Sequence, residues 1–148
     1  MAAPAALALI KEFEGCELTA YPDGNGVPTI AYGHTGPEVV EGMACTQAQA
    51  DAWLIEDSNW ADEQVMRTCP AATQPQHDAM TSFCFNVGVG NFRGSSVVRF
   101  HNTGAYELAA QSFGLWNKVD GEISAGLTRR RAAEAALYSS GATGETQL

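Results

Sequence analysis

At 148 residues, 45% hydrophobic and 17% charged, the chain is long enough for one globular domain with a real core and is neither disordered nor fibrous. Its net charge of −9 excludes general nucleic-acid binding, which needs a broad basic surface. No apolar run approaches the ~20 residues of a membrane span, so stable membrane insertion is not expected.

The opening MAAPAALALIKEFEG has no basic leader and is interrupted by Lys11, so it reads as a first helix, about Ala3 to Glu14, rather than an export signal. Leu7, Ile10 and Phe13 recur at helical spacing, Pro4 suits the first turn and Gly15 helps to end the helix. Residues 17–35 change period. Two short β-branched and aromatic runs flank PDGNG, whose Asp-Gly and Asn-Gly pairs are strong turn signals, so a small antiparallel hairpin or three-stranded sheet is expected.

The remainder reads as helical. A helix from Thr46 has a capping-box spacing to Gln49, with Ala50, Trp53, Leu54, Asp57 and Trp60 along one mostly apolar side. Another starts at Thr73 and ends at Gly88. Short helices follow in SSVVRFHNTG and AYELAAQSFGLW, and the last is GLTRRRAAEAALYS. Residues 139–148 are expected to fray. The fold class is therefore α+β in a single domain. A β-lobe covers about 17–45, and the helical lobe covers 1–16 and 46–138. Charge is divided between these parts: residues 1–63 carry eleven acids against Lys11 alone.

Four cysteines lack C-x-x-C spacing, so they read as reduced thiols acting as small hydrophobes, and no metal site or cofactor is expected. His77 and His101 fall on a helix surface or helix end.

Glu14 lies near a helix end, Asp23 in a wet turn and Thr29 at the start of a strand. Chain reversal at PDGNG can bring all three together. Two carboxyls in unlike surroundings suit glycoside hydrolysis: one held protonated as general acid, the other ionised. A threonine hydroxyl can orient a water. Glu12, Glu17 and Asp23 crowd Glu14 and are expected to help keep it protonated.

The pattern Glu14, eight residues, Asp23, five residues, Thr29, within FEG, LTAYPD and TIAYGHT, resembles the phage-type lysozymes, or endolysins, of glycoside hydrolase family 24. TQAQADAWL, TQPQHDAMTSFCFNVGVGNFRGSSVVR, WNK and GLTRRRAAEAAL extend the resemblance, in order, over about 7–138. It implies a lysozyme-like fold with the cleft between a small antiparallel β-lobe and a larger helical lobe, joined by the helix through Trp53 and Trp60. The implied reaction is hydrolysis of the β-1,4 bond between N-acetylmuramic acid and N-acetylglucosamine in peptidoglycan. Glu14 would act as acid, and Asp23 with Thr29 would activate water for an inverting attack. Tyr32, His34, Asn86, Trp116 and Arg129 are the candidate substrate contacts. Beside them stand blander roles: a structural hydrogen bond for His34, a backbone cap for Asn86, and core packing for the tryptophans. One of Arg129 and Arg130 is expected to pair with Glu14 or its neighbours, with the other arginines solvated.

Ala31 stands where the family has glycine, and its methyl is expected to stiffen the strand rather than crowd the sugar. The acidic β-lobe is expected to make activity modest at neutral pH and sensitive to salt. The resemblance implies a monomer acting on peptidoglycan glycan strands, held in the host cytoplasm until a separate membrane pore releases it. The alternatives are a lytic transglycosylase on the same bond and an inactive peptidoglycan-binding domain.

Overall fold

A computed structural model describes residues 1–142 of the chain. The first helix, α1 (Pro4–Glu14), has its proline at the start and stops at Gly15, whose φ of 73° and ψ of 160° suit a residue without a side chain. The chain then turns directly into β1 (Glu17–Pro22), which pairs antiparallel with β2 (Pro28–Ala31). Isolated bridges, Thr19 to Ala44 and Ile30 to His34, fold the following loop back on this hairpin. The β-lobe is thus two strands with appended bridges.

The long helix α2 (Gln47–Thr68) is capped by Thr46, whose side chain accepts from the Gln49 amide. Next comes α3 (Gln74–Val87), with a complete capping box between Thr73 and Gln76. Three short helices follow: α4 (Val89–Arg93), α5 (Ser96–Asn102) and α6 (Tyr106–Ser112), the last continued by a 3-10 turn at Phe113–Leu115. The chain closes on α7 (Ala125–Ala142).

Before α7 lies an element that the helical reading of this region omits: a hairpin of β3 (Lys118–Val119) and β4 (Glu122–Ile123). Asp120 and Gly121 form its tip with φ of 51° and 83°, the left-handed pair that Asp-Gly adopts in a tight hairpin. The tail also differs from expectation. Residues 139–142 belong to α7, whose Gly141 is buried against Thr73 and Pro75 at the start of α3; the rest of the tail lies outside the described residues.

Two cores result. The larger contains Val65, Met80, Phe83, Phe92, Phe113 and Tyr138, and α3 is its axis, buried continuously from Gln76 to Cys84. The smaller contains Ala20, Ile30, Ala31, Val39 and Ala50 in the β-lobe. Helix α2 contributes to both, Ala50 at one end and Ala61 and Val65 at the other. Its buried side therefore differs from the expected stripe. Ser58, Ala61 and Asp62 turn inward with Leu54, small Ser58 and Ala61 allowing close approach, and Trp60 remains 38% exposed.

All four thiols are free. Burial pushes Cys69 up to about 11 and Cys84 up to about 12, so neither is a reactive thiolate at neutral pH. His77 and His101 are not surface residues. His77 Nε2 lies 2.7 Å from Asp62, and His101 Nδ1 lies 2.7 Å from the Tyr138 hydroxyl, both pairs buried.

A Cβ at Gly141 would sit 2.7 Å from both Pro75 Cβ and Thr73 Oγ1. Gly141→Ala is expected to push α7 off the start of α3 and cost about 1–3 kcal/mol, read as a lower urea midpoint at unchanged slope.

Candidate active site

Glu14 is the last residue of α1, and its side chain faces the helical lobe. Its Oε2 accepts from Arg130 Nη1 at 2.7 Å, an ion pair spanning 116 residues. Its Oε1 faces Gly33, where a Cβ would meet that oxygen at 3.7 Å. Of the two arginines considered for Glu14, the partner is Arg130. Arg129 is exposed and lines, with Glu12, Glu14, Asn86 and Leu127, a hollow of about 500 Å³. Although acids crowd Glu14 in sequence, the charged group that touches it is a guanidinium.

Asp23 and Thr29 lie apart from that hollow, at the end of the hairpin. Asp23 Oδ1 accepts from the Asn25 and Val27 amides at 2.7 and 2.9 Å, an Asx-type turn made possible by the short side chain. Thr29 is buried and donates its hydroxyl to the Val27 carbonyl at 2.9 Å. Val27 thus links the two residues. With its proton committed, the Thr29 oxygen offers only lone pairs to a water, and Asp23 keeps Oδ2 for the same purpose.

His34 has both ring nitrogens engaged: Nδ1 lies 2.7 Å from Asp57 and Nε2 2.6 Å from Glu38. Its ring stacks on Trp53 at 4.3 Å. The histidine ties the β-lobe to α2 and has no nitrogen left for a sugar. Tyr32 is likewise occupied, its hydroxyl accepting from Gln47 and its ring lying under the Lys11 ammonium at 5.7 Å. Asn86 caps no backbone; its Oδ1 accepts from Arg131 Nη2 at 2.8 Å. Asn86 is exposed and lines both the Glu14 hollow and an adjoining one of about 520 Å³, where Trp116, Lys118 and Val119 also lie. Trp116 packs edge-on against Phe83 at 5.9 Å, so one side belongs to the core and another to that hollow.

Ala31 has φ of 60°, the left-handed region that a glycine enters freely, and its methyl is buried in the β-lobe core. Arg131 is not solvated: it is 1% exposed, lies over the Phe83 ring at 5.0 Å and pairs with Glu134 at 3.0 Å.

Two features escape sequence reasoning. Glu134 is fully buried and accepts from both Arg130 and Ser82. The only local sign was an acid three and four residues after two arginines on an otherwise apolar helix. Trp60 stacks near Phe85, ring centroids 6.2 Å apart, and both line a third hollow with Gly33, Thr35, Glu56 and Asp57. That tryptophan has the helical spacing of a core residue. Among the described residues no three His, Cys, Asp or Glu side chains converge as a metal site.

This geometry meets the comparisons with known proteins. Residues 11–134 match the phage lysozyme family model. The chain belongs to the phage lysozyme family. An endolysin of Salmonella phage P22 is 38% identical over 134 residues, covering 87% of this chain and 91% of that protein. An endolysin of Bacillus phage PZA is 42% identical over 143 residues, covering 93% of this chain and 54% of its own, so the chain spans about half of that relative's length. The muramidase domain of SpmX from Asticaccaulis excentricus superposes with a TM-score of 0.85 at 38% identity, covering 93% of this chain and 97% of that domain. The lysozyme-like α+β fold is thereby established for this family member.

Burial opposes the His34 cation, but hydrogen bonds to Asp57 and Glu38 outweigh it and hold the imidazole above its ordinary value of 6.5. Its hydrogen bond to His34 holds Glu38 below its ordinary 4.5. The raised histidine stabilises the fold fully below pH 6.5 and loses that contribution as pH rises through its folded value. The depressed glutamate does so above 4.5 and fades in acid. Urea midpoints should therefore drop from pH 6 to pH 8 by more in the parent than in His34→Gln. Parallel curves would remove the assignment.

Proposed function

We propose that the protein is a lysozyme that hydrolyses the β-1,4 bond between N-acetylmuramic acid and N-acetylglucosamine in peptidoglycan, with inversion, and that it acts as a phage endolysin. The observation that carries this reading is the unlike anchoring of two carboxyls. Glu14 is pinned through Oε2 by a buried arginine and keeps Oε1 uncovered beside Gly33. Asp23 is pinned through Oδ1 by two backbone amides and keeps Oδ2.

In the proposed reaction Glu14 delivers a proton from Oε1 to the glycosidic oxygen as the bond to the anomeric carbon breaks. A water donates one hydrogen to Asp23 Oδ2 and the other to the Thr29 oxygen, and adds to the anomeric carbon from the opposite face. Its proton passes to Asp23. Glu14 ends ionised and Asp23 protonated, and exchange with solvent restores both. The glycan runs through the Glu14 hollow and the one that adjoins it at Asn86, with Asn86, Trp116 and Arg129 on the helical wall. We read the protein as a monomer that needs no cofactor and reaches the wall through a separate membrane pore. No described helix is long and apolar enough to cross a membrane.

Digestion of purified Gram-negative peptidoglycan is expected to yield muropeptides with free reducing ends, the α-anomer appearing first by NMR. Glu14→Gln should lower the rate by about 10²-fold or more. Anhydro-muramic ends would replace hydrolysis with transglycosylation. Binding without cleavage would leave a wall-binding domain.

A further inference from the structure

The Trp60 and Phe85 hollow is part of the cleft already described. A cavity of about 300 Å³ holds the Met1 ammonium against Asp62. The exposed apolar Leu115 and Val119 line the hollow next to Asn86, and nothing indicates what covers Ile123. The observations lead furthest at the buried carboxylate behind Glu14, which the proposed reaction does not use.

Glu134 on α7 is 0% exposed. Its Oε2 accepts from Ser82 Oγ at 2.6 Å and from Arg130 Nε at 3.2 Å, and its Oε1 lies 3.0 Å from Arg131 Nε. Each arginine extends from this anchor to a different group at the cleft. Arg130 reaches Glu14 Oε2, with its Nη2 also donating to the Ser82 carbonyl at 3.2 Å. Arg131 reaches the Asn86 carbonyl oxygen at 2.8 Å. That contact orients the Asn86 amide: its oxygen faces the arginine, so its NH₂ is left for the hollow it lines.

We infer that Glu134 is the positioning residue of this active site: through Arg130 it fixes the acid Glu14, and through Arg131 it fixes Asn86 as an amide donor to an acyl or hydroxyl oxygen of the substrate. This rests on the muramidase reading above. A buried carboxylate with no direct route to substrate is costly to keep unless paired. Here it neutralises two guanidiniums that would otherwise be free to swing on long side chains. Fixing both arginines from one point couples the placement of the acid to that of the amide, where misplacement by about 1 Å can cost about a hundredfold in rate.

The two arms have different kinetic signatures. The Arg130 arm acts on chemistry and reads in kcat; the Arg131 arm acts on binding and reads in KM. Ser82 touches Arg130 and Glu134 but shows no bond to Arg131. On peptidoglycan fragments, Ser82→Ala is expected to lower kcat about tenfold with KM unchanged. Asn86→Ala should raise KM several-fold with kcat kept. Glu134→Gln should do both, and adding Asn86→Ala to it should raise KM no further. If Glu134→Gln does not fold, Ser82→Ala and Asn86→Ala still decide. Folded Ser82→Ala with parental kcat, or a Glu134→Gln loss equal to its unfolded fraction, overturns the inference. If the parent releases no reducing ends, the muramidase reading fails separately. Positioning is then read from the side-chain Nη resonances of Arg130 in ¹⁵N-labelled protein. Resolved signals in the parent that collapse in Ser82→Ala uphold it, and unchanged signals reject it.

Discussion

The contact on which the rest of the site depends is the ion pair between Glu14 and Arg130. It joins the end of the first helix to the first third of the last, across 116 residues of chain. An exposed ion pair would contribute little. This one has its cation buried and its carboxylate partly so, and the guanidinium is further held by Glu134 and Ser82. The surrounding fold has to supply that burial: α3 and α7 both feed the larger core, and Phe83 lies beneath Arg131. The polar network and the apolar core are one construction, since removing either leaves charges without solvation.

The β-lobe is organised on a different basis. Its core is a handful of small residues, and its two strands could not stand alone. What attaches it is α2, through Trp53 and the His34 bond to Asp57. The left-handed conformation of Ala31 belongs to this arrangement. It turns the end of β2 so that Tyr32, Gly33 and His34 leave the sheet in three directions, towards α1, Glu14 and α2 respectively. Burial of the alanine methyl offsets part of the steric cost of that backbone.

The α+β plan was legible, and Glu14, Asp23 and Thr29 could be picked out as candidates, because the signals are local. A hairpin announces itself by Asp-Gly and Asn-Gly, and the spacing of Glu14, Asp23 and Thr29 falls within sixteen residues of chain. What stayed hidden depends on distant partners. Choosing Arg130 over Arg129 is a matter of about 100° of rotation on α7, which only the packing of that helix decides. Glu134 sits among alanines, and only the arginines three and four residues earlier hint at its pairing. His77 and His101 carry polar side chains that read as surface, yet their partners come from α2 and α7. Trp60 misleads in the opposite sense, because the small Ser58 and Ala61 take the inward side of α2. The β3–β4 hairpin is too short for periodicity to detect, although its Asp120-Gly121 tip carries the same turn signal as the first hairpin.

The way Asp23 is held has a consequence for the mechanics of the cleft. Its carboxylate is set by two amides of its own turn, so it travels as part of the hairpin. The acid, pinned by Arg130, travels as part of the helical body. Neither group has slack of its own. Any change in the angle between the lobes therefore passes undiminished into the gap between the two carboxyls, and the molecule acts as a pair of calipers set by that angle.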